Sequence, residues 1–141
     1  MTAPYTAQCA CGAISATIKG EPLGVRLCWC RQCQQIAAGG ATTNAVFRTA
    51  DIALAGALAS HGFTAASGNT LTQFFCPSCG TPVYGQSSAR LHLASIRLGF
   101  LDVGHGLKPD TTIWTEEAPD WAMIDPALQR FERQPPPPPQ A

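Results

Sequence analysis

Charge is scarce in this chain. Only 13% of its 141 residues are charged, nine basic and nine acidic, so the formal net charge is zero. A nucleic-acid binder needs a broad basic field and a membrane-surface binder a basic face, and this composition builds neither. Long apolar runs are missing as well. The longest, Ile52 to Ala59, falls far short of the ~18 residues that cross a bilayer. No basic segment precedes an apolar one near the start, and Cys9 and Cys11 interrupt that stretch, so no secretory signal is read there. A soluble, cytoplasmic protein is expected. Histidine is limited to His61, His92 and His105, none at ligand spacing to another, and each reads as a structural or surface residue.

Cysteine is abundant by contrast. Seven cysteines fall into three tight groups: Cys9-Ala10-Cys11-Gly12, Cys28-Trp29-Cys30-Arg31-Gln32-Cys33 and Cys76-Pro77-Ser78-Cys79-Gly80. An odd number suits a disulfide framework badly, and clustered cysteines in a reducing compartment are more often metal ligands. A closed structural zinc site takes four ligands, whereas a catalytic one uses three and keeps a position open. Seven is four plus three, which points to one structural and one catalytic Zn2+.

The remaining pattern is mainly β. Residues 4–19 read as a pair of strands kinked at Gly12, with period-2 alternation from Ala13 to Ile18. Strands are predicted from Val25 to Trp29, Thr42 to Phe47, Leu71 to Phe75, Val83 to Tyr84, Leu91 to Leu98 and Thr111 to Thr115. A short helix is predicted from Arg31 to Ala38, stopped by Gly39-Gly40, and a helical end over 126–133. The Ala- and Gly-rich stretch 51–69 carries no clear period. One zinc-binding domain over 1–133 is expected, followed by a disordered Pro-rich tail over 134–141.

Each cysteine group is locally suited to metal. Cys76 and Cys79 form a knuckle across a tight turn, with Gly80 free to adopt a positive φ. Cys9 and Cys11 stand at i and i+2, on one face of a strand. The same geometry serves Cys28 and Cys30, and Cys33 can swing in from the start of the helix. Spacing leaves the partners open. A zinc-ribbon pairing joins Cys30 and Cys33 to Cys76 and Cys79. The other joins Cys9 and Cys11 to Cys76 and Cys79, leaving Cys28, Cys30 and Cys33 as a compact trio.

The order C-x-C-G, C-x-C-x-x-C, F-C-x-x-C-G-T-P resembles the glutathione-dependent formaldehyde-activating enzyme family, which also contains centromere protein V. Leu98-Gly99-Phe100-Leu101-Asp102 is similar to the family's G-x-L-D segment. Ile113-Trp114 through Pro119-Asp120-Trp121 resembles its tryptophan-containing end, so the likeness runs over roughly residues 5 to 133. The resemblance implies a fold of several short, coiled antiparallel β-sheets. It also implies structural zinc on Cys9, Cys11, Cys76 and Cys79, and catalytic zinc on Cys28, Cys30 and Cys33. One departure stands out: Gln73 occupies a position three before the knuckle where relatives often carry arginine.

The activity implied is that of a carbon–sulfur lyase, adding the thiol of glutathione to formaldehyde to give S-(hydroxymethyl)glutathione. Three thiolates leave zinc one position that suits an incoming thiol, and an aldehyde is the matching electrophile. The partners are therefore a small-molecule thiol and an aldehyde, with no nucleic acid and no membrane. Glutathione carries two carboxylates, for which Arg31, Arg26 and Arg97 are candidate contacts. Trp114 and Trp121 read as packing residues and Asp102 as a turn cap, while Trp29 either backs the strand or walls the trio. The competing reading is a non-catalytic zinc-binding interaction module with both metals structural.

Overall fold

The computed structural model describes residues 3–136. The first hairpin is β1 (Tyr5–Gln8) and β2 (Ser15–Ile18), and β5 (Ile52–Ala55) joins its free side to make a three-stranded antiparallel sheet. Strict alternation turns Tyr5 and Ala7 inward and Thr6 and Gln8 outward, as a one-sided sheet requires.

A second sheet has eight strands. Its first strands in sequence are β3 (Gly24–Cys28) and β4 (Thr42–Arg48). Two hairpin arms follow, β6 (Ala59–Thr64) and β7 (Thr70–Phe75). The set is completed by β8 (Pro82–Ser87), β9 (Leu93–Arg97), β10 (Thr111–Ile113) and β11 (Gln129–Arg130). The spatial order is β11-β10-β3-β4-β9-β8-β7-β6. Pairing is antiparallel from β3 through to β6, whereas β10 runs parallel to both β3 and β11. Among the described residues one α-helix, α1 (Arg31–Ile36), follows β3.

The two sheets share one core. Val25, Ala45, Phe47, Val83 and Ile96 project from the large sheet against Tyr5, Ile14 and Ile18 of the small one. Phe47 is fully buried and meets Tyr5 edge-on at 5.8 Å between ring centres. The opposite face of the large sheet carries Arg26 and Cys28 on β3, Asn44 and Val46 on β4, and Ser95 and Arg97 on β9. Alternation therefore gives the central strands an apolar face for the core and a polar one for a groove.

The mainly β architecture expected from the sequence is the one observed. Three details differ. The uncommitted stretch 51–69 contains all of β5 and β6, whose apolar contribution is thin because both lie at sheet edges. The predicted strand at 111–115 stops at Ile113, since Trp114 turns into the left-handed region at φ 57° and a 3-10 turn follows at Thr115–Glu117. The helix predicted within 126–133 is absent. Gln129 N–H instead bonds Asp110 C=O at 3.2 Å, and Phe131 N–H bonds Thr112 C=O at 2.9 Å. So short a segment is a marginal helix on its own, and the edge of β10 offers its backbone better partners. Of the expected tail over 134–141, Gln134 bonds Trp114 and Pro135 is buried, while residues 137–141 lie outside the described residues.

Candidate metal centres and the groove beside them

The fold gathers the seven cysteines into two sets. The sulfurs of Cys9, Cys11, Cys76 and Cys79 lie within 4.8 Å of one another, and so do those of Cys28, Cys30 and Cys33. The structure brings the β1–β2 loop to the β7–β8 loop, and Cys30 and Cys33 do not join Cys76 and Cys79 as a zinc ribbon would have them.

The four-sulfur set is built by two turns. Gly12 N–H bonds Cys9 C=O at 3.1 Å in the first, and Gly80 N–H bonds Cys76 C=O at 2.9 Å in the second. Gly80 has φ 77°, a conformation costly for any residue with a side chain. That turn aims the amides of Ser78 and Cys79 at the Cys76 sulfur, at 3.4 and 3.5 Å, and Ile14 N–H reaches the Cys9 sulfur at 3.2 Å. Cys9 and Cys76 are buried, while Cys11 and Cys79 sit at the surface. The Cys79 thiol is pushed down to about 5, first by the Thr81 hydroxyl at 3.1 Å.

This set fits zinc. Tetrahedral coordination with Zn–S bonds of about 2.3 Å places sulfurs about 3.8 Å apart. The Cys9–Cys11 and Cys11–Cys76 sulfur distances are both 3.7 Å. A disulfide would need about 2.05 Å.

The trio is assembled differently from the expected run of strand. Cys28 is the last residue of β3, paired with Thr42 on one side and Ile113 on the other. The chain then leaves the strand, and Cys30 becomes the N-cap of α1, its sulfur accepting from Cys33 N–H at 3.3 Å. Gln34 fixes this corner by donating to Trp29 C=O at 2.8 Å and Glu117 C=O at 2.9 Å. The thiols share charge unequally. Cys33 is held far below the usual thiol range by Cys28 and Cys30, with help from the Thr42 hydroxyl and the Arg97 guanidinium and opposition from burial. Cys28 is pushed up by Cys30 and Cys33 and by burial.

The three sulfurs open onto a groove of about 710 Å3 that runs across the polar face of the large sheet. The four-sulfur set has no part in its lining. Four arginines face it: Arg26, Arg90, Arg97 and Arg133. Arg97 is buried and committed, donating to Asn44 Oδ1 and to Gln73 Oε1. The second contact passes over Gly85, where a Cβ would lie 3.1 Å from both the guanidinium and the Gln73 oxygen. Gln73 thus serves as the acceptor that fixes a guanidinium delivered from β9.

Other expected residues divide between groove and scaffold. Arg26 lines the groove, whereas Arg31 does not; its backbone N–H binds Glu117 Oε1 at 2.8 Å. Trp29 is buried behind the trio, edge-on to Trp121 at 6.2 Å, and Trp121 itself is two-thirds exposed. Trp114 forms part of the groove wall, its indole N–H bonded to Gln134 Oε1 at 3.1 Å. Its left-handed backbone is strained for so bulky a side chain, by about 1–3 kcal/mol. Asp102 accepts from the Thr6 hydroxyl at 2.6 Å, and His105 accepts from Leu107 N–H at 2.9 Å, both away from the groove. Arg90, Asn44, Arg133 and Gln134 escaped the sequence reading. Asn44 and Arg90 had only strand alternation and hairpin position as signals, and Arg133 and Gln134 had none.

No curated protein matches the chain significantly. A solved Rhodobacter sphaeroides protein, a structural-genomics target, is similar in fold, with a TM-score of 0.56 and 22% identity over 74% of this chain and 91% of that one. The family model described as glutathione-dependent formaldehyde-activating enzyme matches residues 4–117. The chain therefore belongs to the glutathione-dependent formaldehyde-activating enzyme family.

Proposed function

We propose that this protein is a zinc-dependent carbon–sulfur lyase, acting in the cytoplasm, that adds a thiol, glutathione, to an aldehyde, formaldehyde. The observation that carries this reading is the contrast between the two cysteine sets: one a complete four-sulfur cluster outside the groove, the other a three-sulfur set opening into it. In this reading Cys9, Cys11, Cys76 and Cys79 hold structural zinc, and Cys28, Cys30 and Cys33 hold the catalytic ion. Held by those three thiolates, zinc would supply Lewis acidity that lowers the pKa of a thiol.

The chain's own residues supply the rest. Three thiolates would outweigh the charge of a zinc dication held by Cys28, Cys30 and Cys33, and negative charge would accumulate there. Arg97, buried and fixed between Asn44 and Gln73, places a permanent positive charge beside Cys33 and offsets that accumulation. The groove walls hold the thiol near the trio. In the reaction the glutathione sulfur bonds to the aldehyde carbon, the C=O π bond breaks, and the thiol proton ends on the new hydroxyl. Exchange spectroscopy of the glutathione–formaldehyde equilibrium tests the proposal. Catalysed exchange should exceed the spontaneous rate and vanish in Cys28→Ser; an unaccelerated rate with both zinc ions present sinks it.

A further inference from the structure

Of the four groove arginines, two are already engaged. Arg97 is bonded to Asn44 and Gln73. Arg133 is ion-paired with Glu116 at 2.6 Å. Arg26 and Arg90 remain, and among the described residues neither has a salt-bridge partner.

Nearby polar groups are spoken for. Asn44, which stands beside Arg26 on β4, gives its amide to Thr42 Oγ1 at 2.9 Å and its oxygen to Arg97. Asp110 accepts from Val25 N–H at 2.9 Å and from the Thr111 hydroxyl at 2.6 Å. Glu117, the acidic residue of the groove lining, accepts from Arg31 N–H. The β8–β9 turn is closed by Arg90 N–H to Ser87 C=O and Leu93 N–H to Arg90 C=O, both at 3.0 Å, which sets Arg90 at the groove. Arg26 and Arg90 thus line one concave groove, and among the described residues neither is tied down by a salt bridge. Mutually repelling, half-buried cations are poor scaffolding and a ready-made anion site.

We infer that Arg26 and Arg90 form a carboxylate-binding subsite that anchors the acidic end of the thiol ligand while its sulfur reaches the Cys28–Cys30–Cys33 set. Arg26 and Cys28 stand at i and i+2 on β3, on the same face, so one ligand a few bonds long can span both. The inference rests on the proposed function and deepens it. It makes Arg26 and Arg90 specificity-determining residues, selecting an anionic thiol over a neutral one of equal reactivity.

The test uses the zinc-loaded protein and calorimetric titration with three probes: glutathione, S-methylglutathione and 2-mercaptoethanol. Replacing either Arg26 or Arg90 with Gln should lower the glutathione-to-mercaptoethanol affinity ratio about tenfold, the worth of one charge-assisted contact. On the unaltered protein, raising the salt concentration should weaken S-methylglutathione while leaving mercaptoethanol nearly unaffected, which covers the case of a variant that fails to fold. A ratio that ignores both substitutions and salt overturns the subsite and leaves the proposed function intact. If S-methylglutathione instead binds as tightly as glutathione, and loses affinity in both variants, the subsite stands and the thiol's role at the trio falls.

Discussion

Serine in place of one cysteine should have opposite consequences in the two sets. Cys76 is fully buried, belongs to the main core, and ties the β7–β8 turn to the β1–β2 turn. Structural zinc binding is worth about 10–16 kcal/mol, comparable with the whole stability of a domain this size, roughly 7–20 kcal/mol. Losing one of four ligands removes a large part of that, so Cys76→Ser should unfold the protein or lower its Tm by well over ~15 °C. Cys30 is half-buried and leads into a six-residue helix as its N-cap. Serine is among the best N-caps, so Cys30→Ser keeps the hydrogen bond to Cys33 N–H and costs at most about 1 kcal/mol, or ~2–6 °C. Cys30→Ala lacks that acceptor and should fall about 1 kcal/mol below the serine variant. Near-UV circular dichroism melts, paired with zinc content by elemental analysis, read both effects. Cys30→Ser should retain the fold with close to one zinc per chain, and Cys76→Ser should lose cooperative melting. Equal destabilisation by the two serine variants would refute the division into structural and open sites.

Three further outcomes are expected. Gly85→Ala forces a methyl group against the Arg97 guanidinium and the Gln73 oxygen, each already fixed by the other, and should cost about 1–3 kcal/mol in urea unfolding. Phe47→Ala opens a cavity between the sheets and removes the edge contact with Tyr5, a loss of about 3–5 kcal/mol in the same assay. Glu21 accepts from the Tyr5 hydroxyl and Ala3 N–H, and these bonds hold its carboxyl below the usual range. A depressed carboxyl pKa stabilises the fold above the unfolded-state value and loses that contribution as pH falls through the folded one. The Tm gap between the unaltered protein and Glu21→Gln should thus be constant near neutrality and close below about pH 4; a gap that widens on acidification contradicts the assignment.

Much of the fold was legible because its causes are local. Alternation along β1 and β2 marks strands whatever they later pair with, and Gly39-Gly40 ends α1 near where the sequence places its stop. The knuckle at Cys76 and Cys79 is likewise a property of five consecutive residues. The end of the chain was misread because β11 has no signal of its own; it exists through the free edge of β10. Cys30 was placed on a strand because spacing alone does not reveal that the chain turns into a helix at that residue.

The sequence by itself determined the chemistry available: seven sulfurs in metal-ligand groups, a mainly β frame, no basic field, and a motif order resembling one enzyme family. Its spacing left two ways to join the groups. Only the tertiary structure brought Cys11 against Cys76 across 65 residues of chain. It also decided which arginines hold the scaffold and which face the groove, binding Arg97 between Asn44 and Gln73, while Arg26 and Arg90 line the groove with no salt bridge among the described residues. The physical reason is one of range. Ligand spacing and strand period act over a few residues, whereas a shared metal set and a groove's charge depend on which strands become neighbours.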